Sequence, residues 1–219
     1  MFSKIILSIL IITSLGGVAH FQTGKPPAKL NSRPIERVSP VAEPFDKVTV
    51  AEMAARCATL DTEVGVIVIE FFPESAPESV RNFLNLAGAG LYDTTTFSRV
   101  VAGFVIQGGS LGTREGLLTK AIADRARRTV PDERNKILHE RAIVSMARGD
   151  EPNTATTNFF ILVDKAPHLD NKFAAFGRVT KGMEVVDAIN KAPTKEEKPE
   201  KPVRVRKVSI GACPAAPSN

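Results

Sequence analysis

Phe97-Ser-Arg-Val-Val-Ala-Gly-Phe-Val-Ile-Gln-Gly-Gly109 places two short apolar runs, Phe97–Val101 and Phe104–Gln107, on either side of Ala102-Gly103. β-Branched and aromatic residues suit strands, and a glycine between two such runs suits a tight turn, so the segment reads as a β-hairpin. Each arm also carries a polar residue, Arg99 in one and Gln107 in the other. In an isolated hairpin such residues usually face solvent, and a Gly108-Gly109 pair is usually only a turn.

The pattern repeats outward from this hairpin. Val64-Gly-Val-Ile-Val-Ile-Glu-Phe-Phe72 is a dense β-branched run stopped by Pro73. Further short strands are predicted at Ala142–Ala147, Asn158–Val163, Phe173–Val179 and Val203–Ile210. Two substantial helices stand among them. One starts with Pro77 at its first position, has Val80, Phe83, Leu84 and Ala87 at helical spacing, and stops at Gly88 and Gly90. The other runs from Gly182 to Ala192 with Met183, Val186 and Ile189 inward. Thr49-Val-Ala-Glu52 has capping-box spacing and predicts a short helix, Val50 to Arg56. Strands and helices do not alternate as βαβ units, so the expected fold is mainly β. A closed antiparallel barrel with helices over its open ends leaves no exposed strand edge.

Composition is that of a globular chain, with 43% hydrophobic and 24% charged residues in 219. Twelve phenylalanines, one tyrosine and no tryptophan make Phe the main aromatic filling of the core. The net charge of +5 raises the question of nucleic acid, but no basic stripe, helix-turn-helix or zinc-finger spacing accompanies it. Arg125-Ala-Arg127-Arg128 and the stretch Lys191 to Lys207 read as solvated loops, as do Asp132 and Glu133. His20, His139 and His168 are far apart without metal-ligand spacing, and no phosphate-loop pattern occurs, so neither metal nor cofactor is expected. Gly108-Gly-Ser110-Leu-Gly112 fits a nucleophile elbow with His139 and His168 downstream. That elbow needs a strand–turn–helix on a mostly parallel sheet, which this pattern does not supply.

Residues 1–19 read as a signal peptide: Lys4, an apolar run from Ile5 to about Val18, then Gly17 and Ala19 as the small residues before cleavage. The run is shorter than the ~20 residues of a bilayer span, so the membrane is a partner only if the segment stays uncleaved. Residues 20–47, with Pro26, Pro27, Pro34, Pro40 and Pro44, read as a linker; 48–213 form the domain and 214–219 a tail. The expected location is periplasmic or secreted. Such a compartment permits disulfides, and Cys57 and Cys213 are either a bonded pair or two separate thiols.

Beyond the hairpin come Val144-Ser-Met-Ala-Arg148, Asn158-Phe-Phe-Ile161, and His168-Leu-Asp-Asn-Lys-Phe173 with Phe176-Gly177. With these four blocks in order, the chain from about Thr59 to Ala212 resembles the cyclophilin family, specifically its bacterial-type exported members. The resemblance implies a closed eight-stranded antiparallel barrel capped by two helices, with peptidyl-prolyl cis/trans isomerase activity. Arg99 matches the family's catalytic arginine, Gln107 its backbone-binding glutamine, and Phe104 and Phe160 the phenylalanines of its proline pocket. Val105 and Leu169 match apolar wall positions, and Ala147 and Arg148 stand where backbone contacts are made. Asn158, His168 and Phe173 fall at substrate-facing positions but depart from common family residues, as does Ser110. The family's Gly-rich loop is replaced by Thr113 to Arg125, a segment that looks more helical. In this family the first and last strands are neighbours, which implies a Cys57–Cys213 disulfide.

The chemistry suits these residue types. Partial double-bond character gives the amide a rotation barrier of ~18–20 kcal/mol. Rotation breaks the resonance, so a fixed guanidinium such as Arg99 can stabilise the twisted amide electrostatically while Phe104 and Phe160 hold the proline ring. The expected partners are proline-containing peptides and unfolded or folding exported proteins, and the expected state is a monomer. The rival function is a proline-peptide binding module that keeps the barrel without rate enhancement.

Overall fold

The computed structural model describes residues 42–214. The predicted signal peptide, the predicted linker up to residue 41, and the tail from residue 215 lie outside the described residues. Thr49 and Glu52 close the predicted capping box, each accepting the other's backbone N–H, and start α1, Val50–Ala54. The helix stops earlier than expected because Arg56 already belongs to β1, Arg56–Thr62. Then follow β2 (Gly65–Phe71), α2 (Pro77–Gly88), β3 (Arg99–Val101), β4 (Val105–Gly108), α3 (Lys120–Ala126), β5 (Ile143–Met146) and β6 (Phe159–Leu162). The chain finishes with β7 (Ala175–Lys181), α4 (Met183–Asn190), a small hairpin of β8 (Thr194–Lys195) and β9 (Lys198–Pro199), and β10 (Val205–Ala212). α3 gives the segment after Gly109 the helical character its sequence suggested. The β8–β9 hairpin lies where only a solvated loop was expected.

Eight strands form one curled antiparallel sheet in the order β10-β1-β2-β7-β5-β6-β4-β3. The expected closed barrel is corrected to an open one. β3 and β10 share no ladder, and the seam between them is crossed by the single bridge Thr96–Arg204. The outer edge of β3 is already occupied, since Val100 N–H donates to the carbonyl of Glu197 in the β8–β9 hairpin at 2.8 Å. Pro202, just before β10, has no N–H to extend pairing backward.

The concave face of the sheet holds the phenylalanine core. Phe83 of α2 lies within 5.6 Å, centroid to centroid, of Phe71, Tyr92, Phe159 and Phe176. Each buried ring contributes about 1.5–3 kcal/mol by removing apolar area from water. Tyr92 is also buried, and its O–H donates to the Thr157 carbonyl at 2.8 Å. Gly109 is more than a turn residue: at φ +85° its Cβ would lie 2.4 Å from that same carbonyl oxygen, so no larger residue fits.

Two charged segments prove less solvated than expected. Glu133 accepts the backbone N–H groups of Glu78 and Ser79 at 2.8 and 2.7 Å and the Ser79 hydroxyl at 2.7 Å. It thereby caps α2, whose own N-cap residue, Ala76, offers no side-chain acceptor, and it places negative charge at the positive end of the helix dipole. Asp132 is largely buried against Arg148. The end of the predicted linker is docked too. Arg81 of α2 donates to the carbonyls of Phe45 and Val48, and Glu43 pairs with Arg125 and Arg128.

β1 and β10 pair with Cys57 opposite Gly211, and a Cys57–Cys213 disulfide closes their end with the α-carbons 4.8 Å apart. The bond spans 156 residues of sequence, so breaking it releases a large loop in the unfolded chain. The Cys57→Ser/Cys213→Ser double variant is expected to lose about 2–4 kcal/mol of unfolding free energy in urea titrations, with its native circular dichroism unchanged.

Candidate active site

Antiparallel register brings the candidate residues into line. Arg99 on β3 lies opposite Gln107 on β4, Gln107 opposite Phe160 on β6, and Phe160 opposite Ser145 on β5. Directly paired residues share a face, so this row projects from the side of the sheet away from the phenylalanine core. Alternation explains why β5 and β6 are buried along their whole length: Val144, Met146, Phe159 and Ile161 fill the main core. Ile143, Phe160 and Leu162 build a second apolar cluster on the outer face with Val105, Leu169 and Ala175.

A cavity of about 140 Å³ opens above that cluster. This is close to the ~150 Å³ of apolar space that accepts a benzene ring. Arg99, Gln107, Phe104, Val105 and Phe160 line it from the hairpin and β6, and Ala147, Arg148, Leu169 and Phe173 complete the wall. Phe173 meets Phe160 edge-on at 5.9 Å, and the Arg148 guanidinium covers the Phe173 ring at 4.9 Å. The carbonyls of Gly149, Asp150 and Lys172 hold that guanidinium in place. Arg99 Nη1 donates to Gln107 Oε1 at 3.3 Å, and its Nε to the Glu197 carboxylate at 2.7 Å.

The structure thus gathers all the predicted site residues except two. Asn158 accepts the Ala147 N–H through its carbonyl at 2.9 Å and does not line the cavity. Its side-chain oxygen is buried without a hydrogen-bond partner. His168 sits outside the cavity, packed on Phe104 at 5.5 Å between ring centres. Ser110 of the elbow pattern precedes a single 3₁₀ turn after an antiparallel strand, which is not the setting a hydrolase nucleophile needs. Among the described residues no cluster of His, Cys, Asp or Glu could hold a metal ion, and no helix is long and apolar enough to cross a membrane.

The sequence assigned no site role to several supporting residues. Asn190, buried at the end of α4, accepts the Gly103 N–H and donates to the carbonyls of Val101 and Val105. It fixes the turn that presents Phe104. Beneath Phe160, Ser145 Oγ and His139 Nε2 are 3.0 Å apart, and Asp170 Oδ1 accepts the His139 backbone N–H at 2.7 Å and lies 3.2 Å from its Nδ1. Ser145 and His139 are sealed from solvent, so this serine–histidine–aspartate chain meets no substrate. It ties β5 to the segment carrying Leu169.

Burial holds the His139 imidazole below the ordinary histidine range, opposed by its hydrogen bond to Asp170 and aided by the neighbouring His168. The unfolded chain, with its histidine near ~6.5, therefore takes up the proton first as pH falls. This contribution to stability is full above that value and is lost as pH drops below it, by at most about 1.4 kcal/mol per pH unit. Urea titrations from pH 7.5 to 5.5 are expected to show this loss, and a His139→Gln variant to lack that part of it.

Known proteins are similar to this chain in sequence and in fold. The family model for cyclophilin type peptidyl-prolyl cis-trans isomerase/CLD matches residues 57–210. The chain is 38% identical over 170 residues to peptidyl-prolyl cis-trans isomerase-like 3 of Rhizopus delemar, covering 72% of this chain and 96% of that protein. It is 34% identical over 147 residues to peptidyl-prolyl cis-trans isomerase CYP23 of Arabidopsis thaliana, covering 67% and 65%. Among solved structures, a Cryptosporidium parvum cyclophilin type isomerase crystallised in the presence of the dipeptide Ala-Pro matches with a TM-score of 0.63 at 27% identity, over 72% of this chain and 99% of that one. Cyclophilin AquaCyp293 from Hirschia baltica gives 0.57 at 25% identity, over 72% and 74%.

Proposed function

This chain belongs to the cyclophilin-type peptidyl-prolyl cis-trans isomerase family, and from that premise we propose that its outer-face cavity seats the proline ring while Arg99 stabilises the twisting amide. As a peptidyl-prolyl isomerase it accelerates a rotation that takes tens to hundreds of seconds unaided. The observation that carries the residue roles is the single row of Arg99, Gln107 and Phe160 across β3, β4 and β6, facing one ring-sized cavity.

In the planar amide the nitrogen lone pair is delocalised into the carbonyl. At the twisted midpoint that lone pair returns to the nitrogen, which becomes a hydrogen-bond acceptor. Arg99 supplies N–H donors in a fixed planar fork, and they gain most when the amide is twisted. Phe104 and Phe160 grip the ring, leaving the carbonyl side to rotate, and Gln107 binds substrate backbone. No bond is broken, so no nucleophile or proton acceptor takes part.

We further propose exported substrates: unfolded or folding chains with proline. The leader-like segment 1–19 supports this, as does the Cys57–Cys213 disulfide, since such bonds persist in oxidising compartments. The Ala-Pro dipeptide used with the Cryptosporidium parvum relative supports recognition of a short X-Pro unit.

In a protease-coupled assay on a short X-Pro peptide, Arg99→Ala is expected to lower kcat/KM about 10²-fold, the scale for removing a preorganised donor. Equal rates in the two proteins would refute the role of Arg99. No acceleration by the unmutated protein would instead favour a proline-peptide binding module.

A further inference from the structure

The β8–β9 hairpin delivers a carboxylate to Arg99. Its loop turns on Glu196 and Glu197, with φ of 51° and 64°. Two-residue hairpin loops demand such left-handed backbone and favour Asn-Gly; side chains disfavour it. Two glutamates nevertheless stand there in succession. The second is tied down at both ends: its carbonyl accepts the Val100 N–H at 2.8 Å, and its carboxylate accepts from Arg99 Nε at 2.7 Å.

Arginine has five N–H donors in one rigid plane. Nε–H is spent on Glu197 and one Nη1–H on Gln107, which fixes the plane from two sides. Three donors on the terminal nitrogens stay free of these two contacts. The Arg99 and Glu197 side chains are 42% and 51% exposed, and an ion pair that open to water contributes little to stability. A pair that adds little to stability, built on a turn of disfavoured backbone, needs another use. Orienting a catalytic guanidinium is one, because a small misplacement costs rate steeply.

We propose that Glu197 is a positioning residue for Arg99, holding the guanidinium plane so that its terminal N–H groups meet the twisted prolyl amide. This rests on the role given to Arg99 above. The test compares Glu197→Gln, Glu197→Asn and Arg99→Ala in the full chain by the same assay, with thermal melts alongside. Gln keeps an acceptor within reach of Nε, whereas Asn suits the turn backbone but is one methylene too short. Glu197→Asn is expected to lower kcat 3- to 10-fold with KM changed less than 2-fold and an unlowered melting temperature, and Glu197→Gln to retain most of the rate. In the Arg99→Ala background, Glu197→Asn should have no further effect. If Glu197→Asn matches the unmutated protein while Arg99→Ala is inactive, the positioning role is overturned. It is overturned equally if Gln and Asn lose the same rate, or if the loss persists without Arg99. If Arg99→Ala keeps full activity, it is the catalytic reading of Arg99 that fails.

Discussion

Gln107 lies opposite Arg99 on one neighbouring strand and opposite Phe160 on the other. Because strand side chains alternate, this double register sends Val105, Gln107, Phe160 and Leu162 to the outer face and Ile106, Phe159 and Ile161 into the core. A slip of one residue would bury Arg99 if it fell in the β3–β4 ladder, and would bury Gln107 or turn Phe159 out to water if it fell in the β4–β6 ladder. The cost of burying an unpaired charge and exposing core rings together makes the site geometry and the fold one decision. Both faces of β5 and β6 are buried for the same reason: one is core, the other lies beneath the cavity.

Around this register the molecule is held by long-range side-chain contacts more than by local ones. Glu133 reaches from a distant loop to cap α2. Asn190 reaches from α4 to lock the turn before Phe104, and Asp170 reaches under the cavity to His139. Each satisfies buried or terminal backbone groups that would otherwise go unpaired. The last two also anchor segments that carry the cavity residues Phe104 and Leu169, so there stability and preorganisation come from the same bonds.

The hairpin, most strands and both larger helices are legible from residue pattern alone, since β-branched runs, glycines and the capping box act locally. Arg99, Phe104, Gln107 and Phe160 become legible through the ordered blocks that resemble a known family. Glu133, His139, Asn190 and Glu197 do not. Apart from Ser145 beside His139, their side-chain partners lie 31 to 98 residues away, beyond the reach of any local pattern. The expectation of a closed barrel fails for a related reason: the strand pattern does not reveal that the β8–β9 hairpin already occupies the edge of β3.

That open sheet sets a condition on an isomerase. A peptide in extended conformation can add itself to any bare strand edge. β3 is screened by the hairpin that carries Glu197, and β10 presents Arg206 and Lys207 to solvent with its end pinned at Cys213. Lysine-bearing, tethered and covered edges resist pairing with strangers. Both edges of the open sheet are therefore guarded against taking an added strand.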